Sequence, residues 1–413
     1  MSPGPHTLSS TEVVERFRWA RRRGAPAWLW PEVSPRAWRE ALLQIEFCVR
    51  VVLANDDAII PLLDGDPQAI GLAGYTSGVG PLLGLWIETG RLTASPAAAS
   101  ILALHLSHCR QRAERMQVAG ERLIRALATA GVDTVVLKGA HTGPAYFPEH
   151  GVRPASDIDL LVNRADLGRA EAVLAAEGYE LASRAQRESS WRIVGAAQHP
   201  RSLTHVHADE AWTVDLHESL DLFVSAGAPL AELDRLQPMA GRTPWALGPG
   251  AFALDQPLLL LHLAVHAGAG LQNLTLLRLV ELVLVIRQDE ARGVLSWQAF
   301  ADAGRRASSL GYAYPALCLA GTLAPGLVPQ EVLDACAGAA PAGVRRVVAS
   351  LTPGTAQRID RTSVAEHFMW TSGLYARARQ ILADLAPAAG SWAGVWSIYE
   401  KRAWRLLRGR ISP

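Results

Sequence analysis

Apolar positions recur with helical spacing over the first third of the chain. In residues 37–54, Trp38, Leu42, Ile45, Val49 and Val52 return every three or four positions, which predicts a helix with one buried face. Ser95-Pro96 opens a longer helical segment that runs to about Ala130, with proline in its first turn. Leu102, Leu106, Cys109, Met116, Leu123 and Leu127 form its apolar face, and Gly131 stops it. The pattern then changes. Residues 134–137 are a short β-prone run, 140–147 suit a short helix, 148–156 are turn-rich, and 157–162 (DIDLLV) read as a strand. Helical spacing returns over 163–178, with Leu167, Ala170, Val173 and Leu174 inward. Residues 203–207 and 213–217 alternate with period two and read as a hairpin closed by 208–212. After Pro257 the chain is helical again, with breaks near Gly293, Gly311, Pro329, Pro341 and Pro353.

This order predicts an α+β protein in three parts: a helical N-terminal lobe (1–130), a small mixed-sheet α/β core (131–250) and a helical C-terminal lobe (251–413). Composition narrows the class. With 49% hydrophobic and 19% charged residues, the 413-residue chain is globular rather than disordered. Its net charge of +1 argues against a chain-wide electrostatic nucleic-acid binder. Cys48, Cys109, Cys318 and Cys336 lie far apart, without a CxxC or Cys/His cluster, and read as small buried residues in a reducing compartment. The N-terminus has no apolar signal-peptide core. The apolar stretch 258–286 carries His262, His266, Gln272, Asn273, Arg278 and Glu281, too many polar groups for a membrane span, and reads as a buried helix pair. A cytoplasmic protein without a transmembrane segment is expected.

The chemistry concentrates in 134–162, TVVLKGAHTGPAYFPEHGVRPASDIDLLV. Alternate side chains of a strand share a face, so Asp157 and Asp159 point one way and Ile158 and Leu160 the other. Two neighbouring carboxylates repel unless a cation neutralises them. In 213–217, Asp215 and His217 share a face; if this strand lies beside DIDLLV, Asp215 completes a three-carboxylate site. Oxygen-only ligands suit magnesium, and such a site can hold two ions and drive in-line phosphoryl or nucleotidyl transfer. By contrast, Asp64-Gly65-Asp66 has the same spelling but reads as a turn. Lys138 suits either a phosphate contact or a salt bridge across the sheet end. Arg153 suits a bidentate phosphate clamp or a loop tether. His217 could orient an acceptor hydroxyl, act as a base, or be structural. His262 and His266, without an HExxH or a third ligand nearby, read as a buried pair lining the cleft. The tail 391–410 carries Trp392, Trp396 and Tyr399 on one face with Lys401, Arg402, Arg405, Arg408 and Arg410; it suits an anionic membrane surface or RNA, but is read here as packing on the body. Arg21-Arg22-Arg23 reads as a solvated helix end.

The ordered set of strand, LKG turn, short helix, Arg-containing loop, DxD strand, helix and later Asp strand resembles the DNA polymerase beta-like nucleotidyltransferase superfamily. More narrowly, LKG…SDIDLLV followed by VDLHESL, then LLHLAVHAG, is similar to a bacterial family of uncharacterised nucleotidyltransferases. The resemblance spans roughly residues 95–290. It implies that Asp157, Asp159 and Asp215 bind metal; His217, one pleat from Asp215, is the further catalytic candidate. It implies that Gly139 lets the backbone approach the nucleotide's phosphates; Lys138, Arg153 and Ser156 are the candidate nucleotide contacts beside it. The sequence departs from the family pattern at Glu218, where tryptophan is common, and at Glu281, where aspartate is common. The implied activity is magnesium-dependent transfer of an NMP from an NTP to a hydroxyl or phosphate of a small molecule or peptide, with release of pyrophosphate. Alternatives are an RNA (tRNA-type) nucleotidyltransferase and a non-catalytic nucleotide-binding or scaffold protein that keeps the fold.

Overall fold

The computed structural model describes residues 11–16, 29–54, 59–185, 187–197, 200–222, 231–245, 247–271, 274–357 and 369–370. The segments 391–410 and Arg21-Arg22-Arg23 lie outside the described residues.

The helical stripes at the N-terminus fall on helices of the structure. α1 (Pro35–Ala54) buries Leu42, Ile45, Val49 and Val52, the positions its spacing marks. Asp66 caps α2 (Pro67–Ser77) by accepting from the amides of Gln68 and Ala69, so the Asp64-Gly65-Asp66 segment is a helix-entry turn. α3 (Gly80–Glu88) packs against α4 (Pro96–Thr129), a helix of 34 residues with Ser95 as N-cap. Their approach is close: a Cβ on Gly84 would stand 2.5 Å from the Leu102 carbonyl oxygen. Gly131, with φ +70°, takes the left-handed turn that ends α4.

β1 (Thr134–Val136), α5 (Lys138–Tyr146), β2 (Asp157–Val162) and α6 (Leu167–Ala176) follow as the pattern predicts. The sheet has further strands: β3 (Tyr179–Arg184), β4 (Glu188–Ile193), β5 (Thr213–His217), β6 (Arg242–Pro244) and β7 (Ala251–Leu254). Their order is β3-β4-β5-β2-β1-β7-β6. β2 and β5 are parallel, as are β1 and β7, and the other neighbours are antiparallel. The expected α+β class, a mixed sheet with flanking helices, is therefore observed.

Residues 203–207 do not form a strand, and the antiparallel partner of β5 is Glu188–Ile193. Polar side chains explain the difference. Ser202 Oγ lies 3.0 Å from His205 Nδ1, the Leu203 carbonyl accepts from Trp30 Nε1, and the Ala208 amide donates to His108 Nδ1 on α4. Local and helix-directed bonds thus replace a strand ladder.

The two sheet faces have different partners. Val136, Ile158, Leu160, Val214 and Leu216 pack with Met116, Leu123, Ile124 and Leu127 of α4 and with Ala170 and Leu174 of α6. Val135, Leu137 and Leu161 face a larger cluster built by α1–α3 together with α7 (Leu258–Gly268), α8 (Leu276–Ala291), α9 (Trp297–Arg306), α10 (Leu310–Leu323), α11 (Gln330–Ala339) and α12 (Ala342–Val348). Stretch 258–286 is the buried pair α7 and α8. Among the described residues, no single helix is long and apolar enough to cross a membrane. All four cysteines are free thiols.

Candidate active site

The parallel pairing of β2 with β5 sets Asp159 opposite Asp215 and Leu161 opposite His217. With the alternation of side chains, this register puts Asp157, Asp159, Asp215 and His217 on the face that looks toward α7 and α8. One carboxylate oxygen from each of the three aspartates lies within 4.8 Å of the others. The spacing read from the sequence thus converges in space.

Each acid has a distinct setting. Asp159 is 3% exposed, and its Oδ1 receives Lys138 Nζ at 2.7 Å and faces His217 Nε2 at 2.9 Å. Burial would raise its pKa, but the ammonium of Lys138 and the bond from His217 prevail and hold it well below the usual carboxylate range. No hydrogen-bond partner takes Oδ2 among the described residues. Asp157 has no such partner; burial, then the charge of Asp159, pushes it up to about 6. Burial also raises Asp215, against the pull of Ser190 Oγ, which donates to Asp215 Oδ1 at 2.7 Å. His217 Nδ1 lies 3.3 Å from Glu188 Oε2, so both ring nitrogens face carboxylates.

Lys138 begins α5 with φ +44°, a left-handed conformation that costs a non-glycine residue about 1–2 kcal/mol. It turns the chain sharply from β1 into α5, and the same residue neutralises Asp159. The N-cap, Leu137, offers no side-chain acceptor to the first amides of α5. A Cβ on Gly139 would stand 2.0 Å from Arg153 Nη1, so the space above this glycine holds the Arg153 guanidinium. Arg153 donates to Glu281 through Nε at 2.8 Å and Nη2 at 3.1 Å, and Thr142 Oγ1 donates to the same carboxylate. Glu281 therefore anchors Arg153 and α5 to α8.

Above the acids is a cleft of about 330 Å³, walled by Lys138, Gly139, Arg153, Ser156, the three aspartates and Glu188 below, and by Leu263, His266, Thr275, Arg278 and Glu281 of α7 and α8. His266 reaches this wall; its neighbour His262 is buried, with ring centroids 6.0 Å apart. Burial keeps His262 neutral down to about 3 and lowers His266 as well. Ser156 is exposed at the rim and passes its carbonyl to the Thr213 amide.

Arg278 is the residue that sequence reasoning did not single out for chemistry. It lines the cleft, one turn before Glu281, and Nη1 donates only a long 3.4 Å bond to the His266 carbonyl. Desolvation lowers its pKa, and no carboxylate pairs with it among the described residues. A charged pair three residues apart in the otherwise apolar run 276–286 of α8 was the available signal.

A family model described as uncharacterised nucleotidyltransferase matches residues 74–325. The chain belongs to this family. The match spans α3, α4, the whole sheet and the roof helices α7 and α8, so every residue of the candidate site falls inside it. Comparison with curated proteins and with solved structures gave no match.

Proposed function

We propose that this nucleotidyltransferase-family protein moves an NMP from an NTP to a hydroxyl or phosphate of a small molecule or peptide, releasing pyrophosphate, with the β2–β5 carboxylates as its metal centre. The observation that carries the reading is the convergence of Asp157, Asp159 and Asp215 beneath a cleft rimmed by Lys138, Arg153 and Arg278.

The donor set fits magnesium. It is all oxygen, and Asp157 is left with a carboxylate that burial and like charge penalise, the condition a divalent cation relieves. Asp157, Asp215 and the free Oδ2 of Asp159 would hold the ions. Magnesium bound there would neutralise the triphosphate and stabilise charge developing at the attacking and leaving oxygens. The chain's own groups do the rest. His217 and Lys138 fix the Asp159 carboxylate from one side, leaving its other oxygen toward the cleft. Arg278, without a carboxylate partner among the described residues, supplies the positive wall for the β- and γ-phosphates, and Gly139 at the uncapped start of α5 lines the same cleft. Asp215, raised by burial, is suited to take the proton of an acceptor hydroxyl, and Ser190 orients it. Arg153 acts through position, holding the loop that leads into β2.

A cleft of about 330 Å³ suits a small acceptor better than a polymer, which needs a long basic groove. The test is stabilisation of the full-length protein by a non-hydrolysable NTP. Magnesium and nucleotide together should raise Tm, each alone much less. An equal rise without magnesium, or in Asp159→Asn, would overturn the assignment.

A further inference from the structure

Below the other face of the sheet is a second cavity, of about 70 Å³, between α4, α5 and the segment around Trp245. Most of its wall is apolar: Met116, Ile124, Ile158 and Trp245, with Gly120 of α4 leaving room. Arg112 breaks this pattern. It lies on the buried stripe of α4, lines the cavity, and is 3% exposed. Among the described residues, no carboxylate lies within ion-pair distance of it. Its Nη1 rests on Met116 Sδ at 3.3 Å, Nη2 donates to the Ala211 carbonyl at 3.3 Å, and its Cζ stands 5.8 Å from the centre of the Trp212 ring. Glu210 is the acid nearest in effect, but its carboxylate accepts from the His207 amide. Among the described residues, Nε of Arg112 has no hydrogen-bond partner, and neither has Nε1 of Trp245, a second buried donor on the same wall.

Arg153 shows what a buried guanidinium looks like when the chain supplies its counter-ion: two bonds to one carboxylate. An unpaired buried charge is among the costliest features a fold can keep. Two orphan donors on one apolar cavity wall call for an acceptor that the chain does not provide. We propose that this cavity binds a small organic carboxylate, with Arg112 as its counter-ion and the Met116–Ile124–Ile158 wall taking its aliphatic part. The volume encloses about three or four apolar heavy atoms, going by the cavity sizes known to hold small hydrocarbons. A singly charged planar carboxylate matches one guanidinium edge, and an aliphatic tail matches the apolar remainder of the wall, which a phosphate would leave unfilled. The site lies across the sheet from the aspartates and stands independently of the nucleotide reading; Gly139, Arg153 and Ala155 are common to both walls.

The experiment is a ligand-observed NMR titration of the full-length protein with sodium butanoate, with butan-1-ol and inorganic phosphate as separate probes. Butanoate should bind with a millimolar or better Kd, butan-1-ol at least tenfold more weakly, and phosphate should not compete. Arg112→Met should weaken butanoate at least tenfold, and Gly120→Leu, which fills the cavity from α4, should remove binding. Should Arg112→Met fail to fold, the butanoate and butan-1-ol comparison on the wild type and the Gly120→Leu variant decide the matter. No butanoate binding by the wild type, equal binding of the alcohol, full binding in either variant, or displacement by an NTP with magnesium would each overturn the proposal.

Discussion

Asp159 receives two positively disposed partners on one oxygen, and this asymmetry governs what single substitutions do. Asp159→Asn removes a ligand and strands Lys138 beside a neutral amide. Loss of a metal ligand should cost about 100-fold or more in transfer rate, since even outer-shell changes cost about 10–100-fold. Circular dichroism should show the fold retained; activity within a few-fold of wild type would refute the role. Arg278→Gln removes a charge-assisted contact worth about 1.5–3 kcal/mol, about 10–100-fold, to be read as a raised KM for NTP. A change in kcat alone would mean that Arg278 acts elsewhere. The aspartates were legible because strand periodicity and DxD spacing are strictly local. Arg278 was not, because its meaning depends on α8 crossing above a strand more than a hundred residues earlier in the chain.

At the scale of elements, the junction of α5 with α8 decides whether the site is assembled. Arg153 and Glu281 are both nearly buried, with side-chain exposures of 10% and 4%. Breaking one side of such a pair costs about 3–5 kcal/mol, whereas replacing both with apolar groups is often neutral. Glu281→Gln should therefore lower stability in denaturant titrations by a few kcal/mol, and the pair Arg153→Met with Glu281→Met should regain most of it while remaining inactive. A stable, active double variant would show that the pair has no part in the site. Gly139→Ala would place its Cβ on the Arg153 guanidinium. It should reduce activity more than a mid-helix alanine normally would, despite alanine's better helix propensity. The LKG turn and the short helix could be read from the sequence, but the reason for the glycine could not, because Arg153 reaches it only in three dimensions. Residues 203–207 misled for a related reason: period-two alternation marks a strand only when no competing side-chain bonds are in reach, and α4 supplies them.

Across the whole molecule, buried imidazoles set the response to acid. Burial lowers His141 and His205 to about 4 and His105 and His262 to about 3, with His266 lowered as well. These rings stay neutral in the folded protein, while the unfolded chain protonates them near 6.5, so the unfolded state binds more protons between those limits. Stability should fall as pH drops from about 6.5 toward 4, by up to about 1.4 kcal/mol per pH unit for each ring. Asp157, raised to about 6, works in the opposite sense, as do Asp215, Glu210, Asp221 and Asp255, all raised first by burial; the imidazoles prevail, with burial lowering His108 as well. Tm measured from pH 7 to 5 should therefore fall steadily; a flat profile would contradict the burial of these rings. Helical stripes and the acid-bearing strands followed from local apolar spacing, whereas β3, β4, β6 and β7 were not read from it. The packing of helices from both ends of the chain into one apolar cluster did not follow from it either, since periodicity marks which face is buried and leaves its partner open.

The central claim, nucleotidyl transfer at the Asp157–Asp159–Asp215 centre, is tested most directly by following phosphorus. The full-length protein is incubated with magnesium, candidate small acceptors and NTP labelled at either the α- or the γ-phosphorus. The α-label should enter the acceptor, the γ-label should leave as pyrophosphate, and both processes should vanish in Asp159→Asn. Transfer of γ-label to the acceptor, or α-label transfer that survives loss of the aspartate, would contradict the claim.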